Sequence, residues 1–340
     1  HIPVCEKSLK QACELLGLEG DKLIQSLTIR TISLSTQRRV SVFHKPCERA
    51  SQCEERRDAL MQLIYAKLFD HIVSFINLQV SADKKLWSTF IGILDVYGFE
   101  TFENNSLEQL CINYVNERLQ QEFIKRYLST EHRILREEGF IDLDIPYTDN
   151  TKCLSALDSH VSVFAILNEE CQLKREVRES EACMRVCNAL NDTGVVFPPA
   201  SPRHKPGFVV KHYAGHVKYD SKGLLHKNKD EVPHEVESLL GGSSCDFVAN
   251  MVVGISAEIE GDFGIKKTRK VTTLTKFKAS LDTLLKTLTK CDLHYVRCIK
   301  PNAQGLPGLP VVEYVMHQLQ SCGIIETIRI SQAGYPVRLS

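Results

Sequence analysis

The chain has 340 residues, 43% hydrophobic and 25% charged, a composition typical of a soluble protein with a sizeable core and more than one subdomain. Its 42 basic and 42 acidic side chains balance, so no overall charge attracts nucleic acid or an anionic membrane. The thirteen cysteines include no CxxC pair, which argues against a four-cysteine zinc site and a disulfide framework. The sequence contains no long uncharged apolar stretch of the kind that spans a membrane, and its start does not resemble a signal peptide.

The first part of the chain predicts helices and one hairpin. Residues 8–17 form an amphipathic helical pattern that Gly17 can close as a C-cap. Residues 28–43 alternate loosely between apolar and polar side chains, which predicts a hairpin with its tip at residues 36–39. Residues 54–77 predict a long helix with an apolar face in the core. That face consists of Leu60, Leu63, Ile64, Leu68, Ile72 and Phe75.

The rest of the chain is organised around residues 86–123. Residues 89–94 are uncharged and rich in β-branched, aromatic and aliphatic side chains, which predicts a strand buried on both faces of a mostly parallel sheet. This strand ends at Asp95, and Gly98 and Glu100 follow at its carboxyl end. Ligands bind at that end of the strands in open α/β sheets, so the turn is a candidate site.

A long helix is predicted directly after this turn. Ser106 and Gln109 fit a capping box, with a hydroxyl at the N-cap and an amide three residues later. Apolar residues recur at helical spacing up to about residue 136, and Glu117 and Gln120 fall outside the apolar face. At 1.5 Å per residue the helix is about 45 Å long, so it can carry a small displacement far.

The second half of the chain mixes helices, strands and irregular segments. Residues 176–206 are polar and contain two adjacent prolines, which predicts irregular surface, and residues 227–230 predict a polar turn. Strands are expected at residues 207–219 and 295–299. Helices are expected at residues 151–171, 231–253, 277–288 and 313–330, the second with a break at residues 241–242 and the last with Gly323 in its middle.

Several strings together resemble one protein family. GILDVYGFE followed by NNSLEQLCINYVNERLQQEF closely resembles the second nucleotide switch and relay helix of the myosin motors. The strings FVVKHYAGHVKYDSKGLLHKNKD, HYVRCIKPN and QLQSCGIIETIRISQAGYPVR follow in the order expected of myosins, and the resemblance is closest to the class nineteen unconventional myosins. A lone DxxG motif would carry little weight, because it often occurs by chance.

The resemblance implies an α/β fold, namely the carboxyl-terminal part of a P-loop NTPase-type motor with a mixed transducing sheet and long flanking helices. Five segments are expected. They are an actin-binding subdomain of helices and a surface loop (1–85), the second switch and relay helix (86–138), a lower-subdomain continuation (139–206), a strand, a helix and a basic actin-binding loop (207–275), and a transducer strand with a hinge helix leading to a missing converter (276–340).

The resemblance also implies roles in ATP hydrolysis for three residues of the turn. Asp95 would help to hold the Mg²⁺ shell, and the backbone N–H of Gly98 would meet the γ-phosphate, where a side chain would intervene. Glu100 would pair with an arginine of the first switch and help to place the attacking water. Without the surrounding strings, a strand-ending turn would be the better interpretation.

Three further residues match positions that couple the nucleotide site to the lever in myosins. Phe99 lies in the switch, Ser106 begins the relay helix, and Gly323 matches the hinge glycine of the terminal helix, although an ordinary helix glycine is the alternative.

Two stretches correspond to actin-contacting loops of myosins. The regulatory position of the first falls on Ser41 when counted from Lys45, and on Val42 when counted from Asp58. The second is a basic run that would steer the chain toward acidic actin, whereas in an arbitrary protein it would be a solvated loop. Its residues are Lys266, Lys267, Arg269 and Lys270.

No GxxxxGK[ST] phosphate loop occurs in the sequence, and the first switch is absent too, so we expect both upstream of His1. The resemblance therefore predicts an actin-activated Mg²⁺-ATPase in the intact protein and an inactive chain by itself. Expected partners are filamentous actin and, through a missing neck, light chains or calmodulin, with no nucleic acid and no membrane contact from this segment. The expected location is the cytoplasmic cytoskeleton, with mitochondrial outer-membrane attachment and organelle transport through a missing tail.

Two other classes of function remain open at this stage. One is a non-catalytic actin-binding scaffold, which cosedimentation with actin with and without ATP would distinguish from a motor. The other is a GTPase that shares only the DxxG switch. The guanine-specificity motif of GTPases occurs only in a form one residue short, at residues 228–230, which argues against this class.

Overall fold

A computed structural model of the chain describes residues 5–36, 39–139, 147, 149–173, 178–200, 206–229, 232–252 and 271–333. Backbone contacts divide the chain into two units, one from residues 1–93 and 231–268 and the other from residues 94–230 and 269–340. In chain order the elements are α1 (Glu6–Leu16), α2 (Gly20–Thr28), β1 (Ile29–Thr36), β2 (Arg39–Pro46), α3 (Ala50–Val80), α4 (Leu107–Glu137), α5 (Thr151–Leu157), α6 (Val163–Gln172), α7 (Glu179–Leu190), β3 (Val196–Phe197), β4 (Gly207–His212), β5 (Gly215–Asp220), α8 (Leu224–Asn228), α9 (His234–Gly241), α10 (Asp246–Asn250), α11 (Thr273–Leu288), α12 (Val312–Ser321) and α13 (Ile324–Ala333).

The first unit confirms the predicted amino-terminal helix and hairpin. Helix α1 ends at Gly17, which has a φ of 61° and donates its N–H to the Cys13 carbonyl. Strands β1 and β2 pair antiparallel along their whole length, with Thr36 opposite Arg39 at the predicted tip. The core of this unit joins α2, α3, α9 and α10 through Leu23, Leu60, Leu63, Val236, Leu240 and Val248.

Helix α3 is confirmed as a helix, but the prediction that its whole apolar face is core was wrong. Leu60 and Leu63 are buried in its amino-terminal half. Leu68, Ile72 and Phe75, on the same predicted face, are exposed. The sequence pattern reports which side chains are apolar, whereas burial needs a packing partner. By length and hydropathy alone α3 could cross a membrane, a test that core helices of soluble proteins also pass.

Helix α4 begins where the capping box predicts. Its N-cap is Ser106, whose backbone N–H donates to Gln109 Oε1 at 3.0 Å. The capping box gives hydrogen-bond partners to backbone N–H groups that the first helical turn would leave unpaired. Residues 106–109 therefore determine where the helix begins. The helix runs 31 residues and forms one wall of the main core of the second unit, together with α5, α6, α7, α8, α11 and the sheet β3–β4–β5.

The prediction of irregular surface for residues 176–206 was wrong. Helix α7 occupies half of the described part, and Ala182, Cys183 and Val186 point into the core. Strand β3 then pairs with β4. The polar turn predicted at residues 227–230 was wrong for its first two residues, because α8 extends to Asn228, which is fully buried, and residue 230 lies outside the described residues.

The two strands predicted for a mixed sheet, residues 89–94 and 295–299, are not formed. Ile91 and Ile93 are almost fully exposed, and so is Val296. A central parallel strand needs neighbours on both sides, and the described residues pair only in the antiparallel sheets β1–β2 and β3–β4–β5. The long flanking helices α3 and α4 are present as predicted.

Two predicted helices are each divided in two. Residues 151–171 contain α5 and α6, separated at Ser162, whose side chain accepts a hydrogen bond from the Ala165 N–H at 3.1 Å and so caps α6. Residues 313–330 contain α12 and α13, separated at Gly323, which has a φ of 70°. The helix predicted at residues 277–288 is confirmed as α11.

Candidate functional site

The candidate site is the turn of residues 95–100, which precedes α4 in the second unit. Asp95 and Gly98 are exposed, and Phe99 and Glu100 are half-buried. Gly98 does not have a positive φ, and a Cβ at this position would have no neighbour within 4 Å among the described residues. Neither backbone conformation nor packing explains a glycine here, whereas close approach of a ligand to the backbone would.

Asparagines of α4 hold the backbone of this turn. The Asn113 side chain accepts from the Glu100 N–H at 2.8 Å and donates to the Glu100 carbonyl, also at 2.8 Å. One turn further along the helix, Asn116 Nδ2 donates to the Tyr97 carbonyl at 3.0 Å. Gln109 Nε2 reaches the Glu100 carboxylate at 3.3 Å. The turn is therefore attached to the long helix by direct hydrogen bonds.

Behind the turn lies a chain of buried polar groups that joins α4 to the β4–β5 hairpin. Asn113 Nδ2 contacts Tyr219 Oη at 2.9 Å, Tyr219 Oη contacts His212 Nε2 at 2.9 Å, and His212 Nδ1 contacts Glu117 Oε1 at 3.0 Å. All four side chains are buried. Burial raises the pKa of the Tyr219 hydroxyl, so it remains a proton donor at neutral pH.

Among these buried polar groups, the Glu117 carboxylate accepts the most hydrogen bonds. Its Oε1 accepts from the Tyr213 N–H at 2.9 Å and from Cys153 Sγ at 3.4 Å besides His212, and its Oε2 accepts from Asn150 Nδ2 at 2.6 Å. Such donors offset the cost of burying a carboxylate. Burial, and then the negative charge of Glu117, raise the pKa of the Cys153 thiol, which therefore stays protonated and donates.

Glu117, Cys153 and His212 also bring ligand atoms within 4.8 Å of one another, close enough to hold a metal ion. Each of these atoms already has a hydrogen-bond partner, and the raised pKa of Cys153 opposes the thiolate that a metal would need. Hydrogen bonding therefore accounts for this cluster without a metal.

Two of the predicted coupling residues, Phe99 and Ser106, lie just before α4. Phe99 packs edge-to-face on His212 and Tyr213, with ring centroids 5.3 and 5.7 Å apart. Ser106 caps α4, and its Oγ also accepts from Lys227 Nζ at 3.1 Å. These contacts tie the turn and the start of α4 to β4, to Tyr213 in the turn that follows β4, and to α8.

Gly323 lies between α12 and α13, against the middle of α4. A Cβ at Gly323 would overlap the buried side-chain amide of Gln120. Just before it, the Ser321 carbonyl accepts from the Tyr213 hydroxyl at 2.7 Å. The break in the terminal helix is therefore packed on both α4 and the hairpin.

The predicted actin-contacting residues are not brought together with the turn. Ser41 lies in β2 opposite Leu34. The basic residues Lys266, Lys267, Arg269 and Lys270 lie outside the described residues.

Sequence reasoning missed the buried polar residues of α4. It placed Glu117 and Gln120 outside the apolar face of the helix, but both are buried. Asn113 and Glu117 follow Leu110 by three and seven positions, which places all three on one face of the helix. That spacing was the available signal. The single strand predicted at residues 207–219 is instead the antiparallel hairpin of β4 and β5, which brings His212 and Tyr219 together from two strands. Nothing in the alternation of this segment marked either residue as a partner of the α4 side chains.

Comparison with known proteins is consistent with this geometry. The family model of the myosin head (motor domain) matches residues 2–340. Unconventional myosin-XIX of Mus musculus is 44% identical over 339 residues, covering 98% of this chain and 34% of that protein, and the Xenopus laevis protein of the same name is 41% identical over 330 residues, covering 97% and 34%. Myosin-I heavy chain of Dictyostelium discoideum is 35% identical over 334 residues, covering 97% and 14%.

The chain thus spans about a third of the length of its myosin-XIX relatives. The match to the family model extends over nearly all of it, including the turn, α4, the β4–β5 hairpin and the terminal helices. The chain therefore belongs to the myosin head (motor domain) family.

Proposed function

We propose that this chain is the carboxyl-terminal part of a myosin motor that couples ATP hydrolysis to movement along actin filaments. The observation that carries the proposal is the attachment of the 95–100 turn to α4. Asn113 bonds the N–H and the carbonyl of Glu100 and Asn116 bonds the Tyr97 carbonyl, so a movement of the turn would be transmitted to the helix. A ligand that pulls on this turn would act directly on a helix about 46 Å long.

The chemistry of the turn fits phosphoryl transfer to water. Gly98 leaves its backbone open, so its N–H can meet a γ-phosphate oxygen, and the exposed Asp95 carboxylate suits the hydration shell of Mg²⁺. Mg²⁺ would neutralise charge on the phosphates. Glu100, with its backbone fixed and its carboxylate half-exposed, can orient an attacking water. Catalysis would come from positioning and electrostatics, because phosphoryl transfer needs little covalent help from the protein.

The break at Gly323 offers an output for this movement. Its close contact with Gln120 means that a shift of α4 changes the packing between α12 and α13. Phe99 contributes through its contacts with His212 and Tyr213, and Ser106 through the start of α4. Actin contact is assigned to Ser41 and to the basic run of residues 266–270. Organelle transport at the mitochondrial outer membrane, and light chains or calmodulin, follow from the likeness to class nineteen myosins and would use other parts of the protein.

The test is phosphate release by the full-length protein with ATP and Mg²⁺, with and without actin filaments, combined with actin cosedimentation. We expect actin to accelerate release and ATP to weaken actin binding. The 340-residue chain alone should release no phosphate, because its sequence has no phosphate loop. Actin binding by the full-length protein that ATP does not change would indicate a scaffold, and preference for GTP would indicate a GTPase. Either result would overturn the proposal.

A further inference from the structure

We propose that Asn113 is a positioning residue that sets the orientation of Glu100 through a hydrogen-bonded chain ending at Glu117. This inference rests on the proposed role of Glu100 in ATP hydrolysis. Asn113 does not contact the Glu100 carboxylate. It bonds the Glu100 N–H and carbonyl, both at 2.8 Å, and so fixes the peptide groups on both sides of the Cα from which the carboxylate projects.

The directions of the hydrogen bonds follow from counting protons. Asn113 uses its Oδ1 for the Glu100 N–H, so its two amide protons go to the Glu100 carbonyl and to Tyr219 Oη. Tyr219 Oη already accepts from Asn113, and donating its own proton to His212 Nε2 satisfies both groups. His212 then carries its proton on Nδ1 and donates it to Glu117.

In this arrangement each of the four buried side chains has a hydrogen-bond partner. If the Tyr219–His212 bond were reversed, the buried Tyr219 proton would have no acceptor among these groups. The direction of every bond therefore depends on the carboxylate of Glu117 at the end. Both ends of the chain lie on α4, because Glu117 follows Asn113 by one helical turn. The hydrogen bonds thus form a closed loop between the helix and the hairpin, and the turn is attached to this loop through Asn113.

The Glu100 carboxylate itself is held far more loosely than its backbone. The Glu100 carboxylate accepts a hydrogen bond from Gln109 Nε2 at 3.3 Å. The orientation of the carboxylate therefore depends mainly on the Glu100 backbone, which Asn113 holds through two hydrogen bonds. Loss of Asn113 would leave Glu100 present and able to ionise, but displaced from the direction in which it orients water.

The experiment is a double-mutant cycle in the full-length protein, with the hydrolysis step measured by single-turnover quench-flow and ATP binding measured with a fluorescent nucleotide. We expect Asn113→Ala to slow hydrolysis about 10- to 100-fold, as a misplacement of catalytic groups does, while ATP binding stays close to normal. If Asn113 acts through Glu100, the double variant Glu100→Ala/Asn113→Ala will hydrolyse no more slowly than Glu100→Ala. Multiplying effects would overturn the inference.

Two more variants separate positioning from stability. Tyr219→Phe removes one hydroxyl and keeps the buried ring, so it tests the chain even if Asn113→Ala folds poorly, and it should slow hydrolysis in the wild-type background but not in Glu100→Ala. Asn228→Ala is the matched control. Asn228 is an equally buried amide that bonds Asn168 and the Leu274 N–H, far along the chain from the turn. It should lower the unfolding temperature without slowing hydrolysis.

The outcomes distinguish this inference from the proposed function. Slow hydrolysis in Glu100→Ala with a normal rate in both Asn113→Ala and Tyr219→Phe would overturn the positioning role alone. A normal rate in Glu100→Ala would overturn the proposed function and the positioning role with it. An equal slowing by Asn228→Ala would mean that loss of any buried amide has this effect, which would also contradict a specific role of Asn113.

Discussion

At the scale of single residues, burial and hydrogen bonding compete at Glu235 in α9. Burial alone would raise the pKa of this carboxyl. Hydrogen bonds from the Arg56 guanidinium, at 2.8 Å, and from the Thr31 N–H outweigh the effect of burial and lower the pKa to about 2, from an ordinary value of 4.5. Arg56 also donates to the Ser26 and Ile29 carbonyls, so the pair joins α3 and α9 to the end of α2 and the start of β1.

This pair predicts a stability difference that depends on pH. Because the folded state lowers the pKa of Glu235, the stabilisation is complete above the ordinary value of 4.5 and is lost as the pH falls toward 2. Glu235→Gln should lower the unfolding free energy of this chain by roughly 2 kcal/mol near neutral pH and by much less at about pH 3. Chemical denaturation at several pH values measures this.

Glu237, two residues later, is the matched control for Glu235. Burial raises the pKa of this carboxyl, an effect that the positive charge of His234 partly offsets. The sign is therefore opposite, and Glu237→Gln should cost no stability at neutral pH. Equal losses in the two variants, or a loss in Glu235→Gln that does not change with pH, would contradict the role assigned to Arg56.

At the scale of elements, the start of α4 depends on a local signal that a single substitution can remove. Ser106→Ala should lower the unfolding free energy by about 1 kcal/mol, because the N-cap hydroxyl and its bond from Lys227 are lost. Ser129→Ala is the control, since the exposed Ser129 hydroxyl within α4 bonds only the Lys125 carbonyl of the same helix among the described residues. Urea denaturation of both variants measures whether the loss of the Ser106 hydroxyl destabilises the chain more than the loss of the Ser129 hydroxyl. A loss in Ser129→Ala as large as that in Ser106→Ala would contradict this prediction.

The break between α12 and α13 gives a second prediction at this scale. Gly323 and Gly305 have nearly the same φ, 70° and 71°, but a Cβ at Gly305 meets nothing within 4 Å. Gly305→Ala should therefore cost only the left-handed backbone strain, roughly 1 to 2 kcal/mol. Gly323→Ala should cost about 1 to 3 kcal/mol more, because its Cβ must displace the buried Gln120 amide.

The extra cost at Gly323 should disappear when the partner is shortened. In a Gln120→Ala background, Gly323→Ala and Gly305→Ala should destabilise the chain by similar amounts, as thermal unfolding can measure. An extra cost that survives Gln120→Ala would show that the constraint on Gly323 comes from elsewhere.

Sequence patterns predicted those elements that depend on local signals. The capping box located α4, Gly17 located the end of α1, and helical spacing located α11. Residues 89–94 and 295–299 have strand composition, but a strand forms only with neighbours, and the described residues supply none for them. The buried polar groups were missed for a similar reason. Glu117 lies outside the apolar face in the sequence pattern of α4, and its buried partner His212 is known only once β4 is placed beside the helix.

At the scale of the whole molecule, both units expose large apolar side chains on elements whose patterns predict burial. Phe75 of α3 and Ile91 are examples in the first unit, and Val296 in the second. These side chains are apolar in the pattern but have no packing partner among the described residues of their own unit. The chain corresponds to about a third of the myosin-XIX relatives, so the function proposed for it must be tested in the full-length protein.

The proposed actin contact makes a prediction about salt. The basic run of residues 266–270 would steer the weakly bound state, and exposed charges are screened over about 10 Å at 0.1 M ionic strength. Neutralising Lys266, Lys267, Arg269 and Lys270 in the full-length protein should weaken actin affinity most at low salt. Cosedimentation over a range of salt concentrations measures this, and an unchanged salt dependence would mean that the run is a solvated loop.

The central claim is that the turn of residues 95–100 carries out hydrolysis, and the most direct test is a single-turnover measurement on Glu100→Ala in the full-length protein. The control is Glu103→Ala, which removes an exposed carboxylate three residues later. We predict nearly normal ATP binding by both variants, and hydrolysis of bound ATP slowed about 10² to 10³-fold in Glu100→Ala alone, because water is oriented only on the way to the transition state. Hydrolysis at the wild-type rate in Glu100→Ala would contradict the account.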